Sequence, residues 1–111
     1  MRFSKSLKLN HVFRKLYHNG NSSVTKYLVI YCRPNHLQEN RIGITVGKKL
    51  GKAVTRNRVR RRLREIYRIN EEQFQCGYDI VIVARSRAVD AEFQALQTAY
   101  LCAARRLGLL V

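Results

Sequence analysis

Residues 53–70 read AVTRNRVRRRLREIYRIN, and the spacing inside this stretch decides how the rest of the chain is read. Val59, Leu63, Ile66 and Tyr67 recur at intervals that share one face of an α-helix. At a helical 100° per residue, Leu63 and Ile66 lie within about 40° of Val59, whereas Arg60, Arg64 and Arg68 lie roughly 100°, 140° and 180° away. Asn57 and Arg61 share that outer sector. The stretch predicts a helix over about 53–70 with one apolar face and one guanidinium face.

The flanks of this helix read as strands. Residues 41–47 alternate, with Ile42, Ile44 and Val46 inward and Arg41, Gly43, Thr45 and Gly47 outward. That outer set is nearly bare of bulk, which would let another chain come close. Residues 78–84, YDIVIVA, are almost wholly apolar after Asp79, the pattern of a strand buried on both faces. Residues 27–33 alternate too, with Leu28, Ile30 and Cys32 on one side and Tyr27, Val29, Tyr31 and Arg33 on the other. Leu9, Val12, Phe13, Leu16 and Tyr17 mark a short first helix, with Asn10 as N-cap and Gly20 as its stop. Asp90 is expected to cap a last helix, whose core face is Phe93, Leu96, Tyr100, Ala103 and Leu107 and which ends at Gly108. The expectation is an α+β fold. It is a single domain over 1–111, a mixed sheet packed with helices and containing a strand–helix–strand crossover.

The charge is one-sided. Twenty-two Lys and Arg face seven Asp and Glu, a net charge of +15. Lys48, Lys49, Lys52, Arg56, Arg58, Arg60, Arg61, Arg62, Arg64 and Arg68 fall within residues 48–68 against Glu65 alone. A solvated helix face would normally alternate signs. Here Arg56, Arg60, Arg64 and Arg68 form successive like-charge i,i+4 pairs, each destabilising by about 0.2–0.5 kcal/mol. Only Glu65, four residues after Arg61, offsets them. Arg56 and Arg58 also sit near the helix N-terminus, where the dipole favours anions. Phosphates filling the gaps would make the arrangement sensible, because the planar guanidinium binds phosphate bidentately and stays charged. Charge alone does not separate RNA from DNA. Tyr27 and Tyr31 beside Arg33 on one strand face suit the stacking of unpaired bases, which favours single-stranded RNA. Phe13 and Tyr17, one turn apart, could equally be core.

Other classes fit poorly. The longest apolar runs, 27–32 and 80–84, fall far short of the roughly 20 residues of a membrane span, so no membrane is expected. No apolar h-region follows the basic N-terminus, and no acid precedes Glu39, as in a transit peptide, yet no cleavage-like break appears. Cys32, Cys76 and Cys102 make no disulfide framework and no zinc knuckle, and suit reduced thiols in the cytoplasm. A metal-dependent nuclease needs converging carboxylates. Glu71 and Glu72 are adjacent at a helix end, Asp90 reads as a cap, and Asp79 alone could be a ligand. His11, His18 and His36 complete neither a metal site nor a base-and-nucleophile set. No catalytic residue and no protein-held metal are expected.

The stretch 46–65, VGKKLGKAVTRNRVRRRLRE, strongly resembles the bacterial ribonuclease P protein subunit. Arg56-Asn57-Arg58, preceded by Lys48-Lys49, matches that family's signature. The order of Leu7, Phe13, Tyr17 and Gly20, the 27–31 strand and the 78–85 segment matches as well. The resemblance implies a small basic subunit of a ribonucleoprotein endonuclease that removes the 5′ leader of precursor tRNA. The catalytic RNA and its Mg2+ ions perform the hydrolysis. The partners would be that RNA and precursor tRNA, with no obligate protein partner, and the crossover would be left-handed. It further implies that Lys48, Lys49, Lys52, Arg56, Asn57, Arg58, Arg60, Arg61, Arg64 and Arg68 face RNA. Phe13, Tyr17, Tyr27, Tyr31 and Arg33 would line the leader site. Positions 17 and 27 carry tyrosine where phenylalanine is also expected, which alters hydrogen bonding but not stacking. The competing readings are a structural RNA-holding protein of ribosomal or chaperone type and a protein-only nuclease.

Overall fold

The computed structural model describes residues 4–6, as backbone, and residues 20–111. The expected helix over 9–17, with Phe13 and Tyr17, lies outside the described residues. Among the described residues five strands form one mixed sheet: β1 (Ser4–Ser6), β2 (Asn21–Val24), β3 (Leu28–Pro34), β4 (Asn40–Thr45) and β5 (Tyr78–Ala84). Their spatial order is β1-β4-β5-β3-β2. The β1–β4 and β4–β5 pairs are parallel, and the β5–β3 and β3–β2 pairs are antiparallel. A parallel neighbour requires a crossover. Helix α1 (Ala53–Asn70) supplies it between β4 and β5, and helix α2 (Phe93–Arg106) follows β5.

The alternation in β3 and β4 sets the two faces. Leu28, Ile30 and Cys32 of β3, Ile42 of β4, and Ile80, Ile82 and Ala84 of β5 are buried in one core with Val59, Leu63, Ile66 and Tyr67 of α1 and Leu96, Tyr100, Ala103 and Ala104 of α2. Both helices therefore cover the same side of the sheet. β5 is the central strand, and its side chains from Asp79 to Ile82 are buried on both faces. Burial pushes the Cys32 thiol up to about 11, as expected for a thiolate denied water.

Asn40 ties three elements together. Its Oδ1 accepts from Tyr78 N at 2.8 Å, while Nδ2 donates to Gln75 O at 2.8 Å and to the Tyr67 hydroxyl at 3.2 Å. These bonds satisfy a buried amide and fix the start of β4 against the start of β5 and the last turns of α1. At the other end, α2 closes on Gly108 at φ +72°, with Leu109 N bonded to Ala104 O, so the chain folds back and buries Leu109.

Two expectations need correction. Asp90 does not cap α2. Glu92 occupies the N-cap position without a side-chain cap, and Asp90 is exposed before it. The Ala91 side chain is buried and its carbonyl accepts from Arg62 Nη1 at 2.7 Å, so the chain turns helical only after Glu92. Tyr27 precedes β3 rather than belonging to it, and packs against the helix-side core instead of sharing a face with Tyr31.

Candidate nucleic-acid interface

The cationic surface starts where β4 ends. Gly47 leads into a 3-10 turn, Lys48–Leu50, that exposes both lysines. Gly51 follows at φ +139°, a conformation L side chains rarely adopt, and an added Cβ would sit 3.2 Å from the Thr55 side chain. Helix α1 then begins with Lys52 at the N-cap, no side-chain cap and no acid in its first turn. Its free N–H groups and the positive end of its dipole thus point into an already cationic loop, an arrangement suited to phosphate.

The arginines along α1 divide by what they touch. Arg61 and Arg64 are exposed and have no hydrogen-bond or ion-pair partner among the described residues. Arg60 Nη1 donates to Asn57 Oδ1 at 2.8 Å, so Asn57 orients that guanidinium. Arg56 Nε donates to Gly51 O at 3.1 Å and holds the loop on the helix. Arg58 makes a long 3.4 Å bond to Val89 O, and Arg62 a short one to Ala91 O. Arg68 is bound by Glu65: Nε meets Oε2 at 2.9 Å and Nη2 meets Oε1. This bond lowers the Glu65 carboxyl below its ordinary range and raises Arg68. Glu65 therefore offsets Arg68, not Arg61 as the i+4 spacing suggested.

The opposite face of the sheet carries Tyr31 and Arg33, both half-buried. Across the strands Tyr31 is level with Ser22 on β2 and Val81 on β5, and Val81 with Gly43 on β4. Gly43 and Val81 are buried, so the outward row of β4 is less open than its small residues suggested. In the next row Arg33 is level with Asp79, and Asp79 with Arg41. Arg41 binds both oxygens of Asp79 at 2.7 Å. Asp79 is thus a structural acid, engaged by a guanidinium rather than offered to a metal ion. Among the described residues no cluster of His, Cys, Asp or Glu could hold a metal ion, and no helix is long and apolar enough to cross a membrane.

A mixed α+β sheet with an arginine-rich crossover helix, on whose outer side Arg61 and Arg64 have no partner among the described residues, defines a basic RNA-binding protein. The chain belongs to the bacterial ribonuclease P protein family, whose model, described as Ribonuclease P, matches residues 1–108. The ribonuclease P protein component of Natranaerobius thermophilus is 42% identical over 105 residues, covering 95% of this chain and 91% of that one. That of Clostridioides difficile is 51% identical over 92 residues, covering 82% and 81%. The solved Staphylococcus aureus RNase P protein superposes with a TM-score of 0.87 at 29% identity, over 96% of this chain and 97% of that one. The Thermotoga maritima protein gives 0.81 at 31%, over 88% and 93%. The chain is accordingly a protein subunit of ribonuclease P, an endoribonuclease holoenzyme, with a role in tRNA 5′ maturation that follows from the family.

Proposed function

We propose that this chain acts as one RNA-binding domain that grips the catalytic RNA through α1 and receives the single-stranded 5′ leader of precursor tRNA on the face of its sheet opposite α1 and α2. The observation that carries this reading is the separation of the two surfaces. Arg61 and Arg64 project from the outer side of a helix whose inner side is core, and Tyr31 and Arg33 lie across the sheet from that core. Lys48, Lys49, Lys52, Arg56 and Arg60 extend the RNA grip around the start of the helix. Arg58, at the end of a long bond to Val89 O, contributes to the same face. Arg68, held by Glu65, contributes less. Tyr31 stacks a leader base and Arg33 meets its phosphate, with Phe13 and Tyr17 as further leader contacts.

The chemistry belongs to the RNA and its Mg2+ ions. Two of the protein's acids are committed elsewhere, Asp79 to Arg41 and Glu65 to Arg68. What the protein supplies is binding energy and orientation. Holding the leader next to the RNA–protein boundary raises the effective concentration of the scissile phosphodiester, and the cationic helix lowers the counterion demand of the assembly. The setting is cytoplasmic.

The experiment is cleavage of precursor tRNA at low Mg2+ by a bacterial ribonuclease P RNA, with and without this chain. Strong stimulation at the mature 5′ end, with no cleavage by the chain alone, is expected. Tight binding without stimulation would favour a purely structural RNA-holding protein. Cleavage by the chain alone would defeat the assignment of the chemistry to RNA.

A further inference from the structure

At the β2 edge of the sheet, far in strand order from β4 where α1 packs, an open groove of about 760 Å³ lies between the β2–β3 turn and the outer side of α2. Its apolar lining is Val24, which is 56% exposed, together with the small side chains Ala95 and Ala99 of α2. Lys26, Arg85 and Arg106 also line it. No acid does. Arg85 Nη1 donates to Thr25 O at 2.7 Å and Arg106 Nη1 to Val24 O at 3.3 Å. These bonds use one N–H from each guanidinium and fix both beside the groove, leaving the remaining N–H groups to a ligand. Arg87 joins Lys26 and Arg85 in an adjoining polar hollow, so the cationic margin continues past the groove. Tyr27 stands at the wall with Lys26 Nζ 5.5 Å above its ring centroid.

We infer that this groove is a second RNA-binding site, independent of α1, and that it takes an unpaired stretch of the catalytic RNA subunit. The inference rests on the proposed roles of α1 and of the sheet face opposite it. Charge complementarity selects a polyanion, since Lys26, Arg85 and Arg106 line the groove, Arg87 extends the cationic margin, and no acid is among the described lining residues. The apolar wall of Val24, Ala95 and Ala99 accepts a base while fixed guanidinium groups meet the flanking phosphates, the combination that single-strand sites use. The side of the sheet selects which RNA. Both α2 and α1 pack on the face opposite Tyr31, so the groove opens on the side that meets the RNA subunit and not on the leader side. The subunit then clamps two separated segments of the catalytic RNA, one at each lateral edge of the helical layer. Two such contacts joined by a rigid fold add avidity that neither has alone.

The test uses the full chain with a bacterial ribonuclease P RNA, and two variants of groove residues that make no hydrogen bond among the described residues. Thr98→Glu places a negative charge on the exposed outer side of α2, and Lys26→Ala removes a rim cation. Each should weaken binding to the RNA subunit several-fold and lower the salt slope by roughly one unit for every phosphate that is no longer neutralised. The effect of leader length on precursor affinity should stay as in the unmodified chain. Circular dichroism and thermal melting identify any variant that misfolds, and Lys26→Ala, at an exposed turn, then carries the result. Unaltered affinity and salt slope in a folded variant would overturn the inference. So would weakening confined to precursor tRNA, which would assign the groove to substrate, or competition by oligoglutamate with RNA binding unaffected by the variants, which would assign it to an acidic peptide. Stimulation of precursor cleavage by the unmodified chain is the control: if it is absent, the functional reading itself has failed, whereas neutral variants of a stimulating chain remove only the second site.

Discussion

Arg41 donates Nε and Nη2 to the two carboxylate oxygens of Asp79, each at 2.7 Å, where β4 and β5 run side by side in parallel register. The Asp79 side chain is 4% exposed and that of Arg41 30%. Asn35 Nδ2 adds a third bond to Asp79 at 3.1 Å and also donates to Glu39 O, so the pair is stitched to the β3–β4 connection. The bond to Asp79, ahead of the charge attraction, raises Arg41 above its ordinary range. Arg41→Ala would strand a buried carboxylate with Asn35 as its remaining side-chain donor. Because Arg41 is partly exposed, the cost falls below that of a fully buried pair, at about 2–4 kcal/mol. Arg41→Lys should recover only part of it, since an ammonium cannot reproduce the planar fork. Urea unfolding measures both, and a loss under about 0.5 kcal/mol for the alanine variant would mean that the pair is idle.

The arginines of α1 are chemically identical in sequence yet separate sharply in role. Arg62 lies about 60° from Val59 on the helical projection, at the flank of the apolar face rather than opposite it. There it reaches Ala91 O and holds the start of α2 against α1. Arg62→Ala should cost roughly 1 kcal/mol of stability, within the range for a partly exposed charged hydrogen bond. It should barely change the salt dependence of RNA binding. Arg61→Ala with Arg64→Ala should do the reverse, flattening the salt slope by roughly one unit for each phosphate freed from its guanidinium while melting as before. An unchanged slope in that double variant would defeat the arginine-helix interface.

Glu65 is the internal brake on this helix. Its removal by Glu65→Gln frees the Arg68 guanidinium for phosphate. RNA affinity should rise and the salt slope should steepen by up to roughly one unit, with the gain largest at low salt. Weaker binding in the variant would show that Glu65 orients Arg68 toward RNA instead of occupying it.

Much of this could be read from the residues, and the limits have physical causes. The bounds of α1 and β5 follow from period and composition because both are long and their apolar patterns are regular. The short strands β1 and β2, Ser-Lys-Ser and Asn-Ser-Ser-Val, show no apolar alternation at all. They exist because β4 and β3 offer unsatisfied edges, and a sheet edge is a property of the fold, not of the segment that pairs with it. Tyr27 carries the right parity for the face of Tyr31, but the strand starts one residue later and the turn at Thr25 redirects it. Thr25 Oγ1 donates to Leu28 O and accepts from Leu28 N, closing that turn. Asp90 has the chemistry of a cap but lies in a segment whose path Arg62 dictates from another helix. The groove cations Lys26, Arg85 and Arg106 are scattered over eighty residues of sequence, so no local pattern unites them.

Tyr31 allows the leader reading to be separated from a packing effect. On the face opposite the helices it is level with Ser22 and Val81. Tyr31→Ala should reduce affinity for precursor tRNA carrying a leader by about 1–3 kcal/mol if the ring stacks a base. Affinity for mature tRNA should hardly move. Tyr31→Phe keeps the stacking surface and should retain most of the leader affinity. Equal losses on both RNAs for the alanine variant would mark the residue as packing alone.

Tyr100 presents the opposite situation, a polar group that the fold has buried for its ring. The residue is fully buried in α2, and Phe74, which also stacks edge-on with Tyr67 at 4.9 Å between centroids, meets its ring edge-on at 6.3 Å. Its hydroxyl has no hydrogen-bond partner among the described residues. Burial, reinforced by Tyr67, pushes its ionisation well above the ordinary tyrosine range, so it stays neutral wherever the protein is folded. An unsatisfied buried hydroxyl costs about 1–3 kcal/mol, and the aromatic contacts do not depend on it. Tyr100→Phe should therefore leave the chain at least as stable, with a gain of about 1 kcal/mol where the core closes over the vacated space. Tyr100→Leu should lose stability because the edge-on contact with Phe74 goes with the ring. Thermal melting at pH 7 distinguishes them. A destabilised phenylalanine variant would mean that the hydroxyl is bonded in solution, which would shift the hydrogen-bond account of the α1–α2 core.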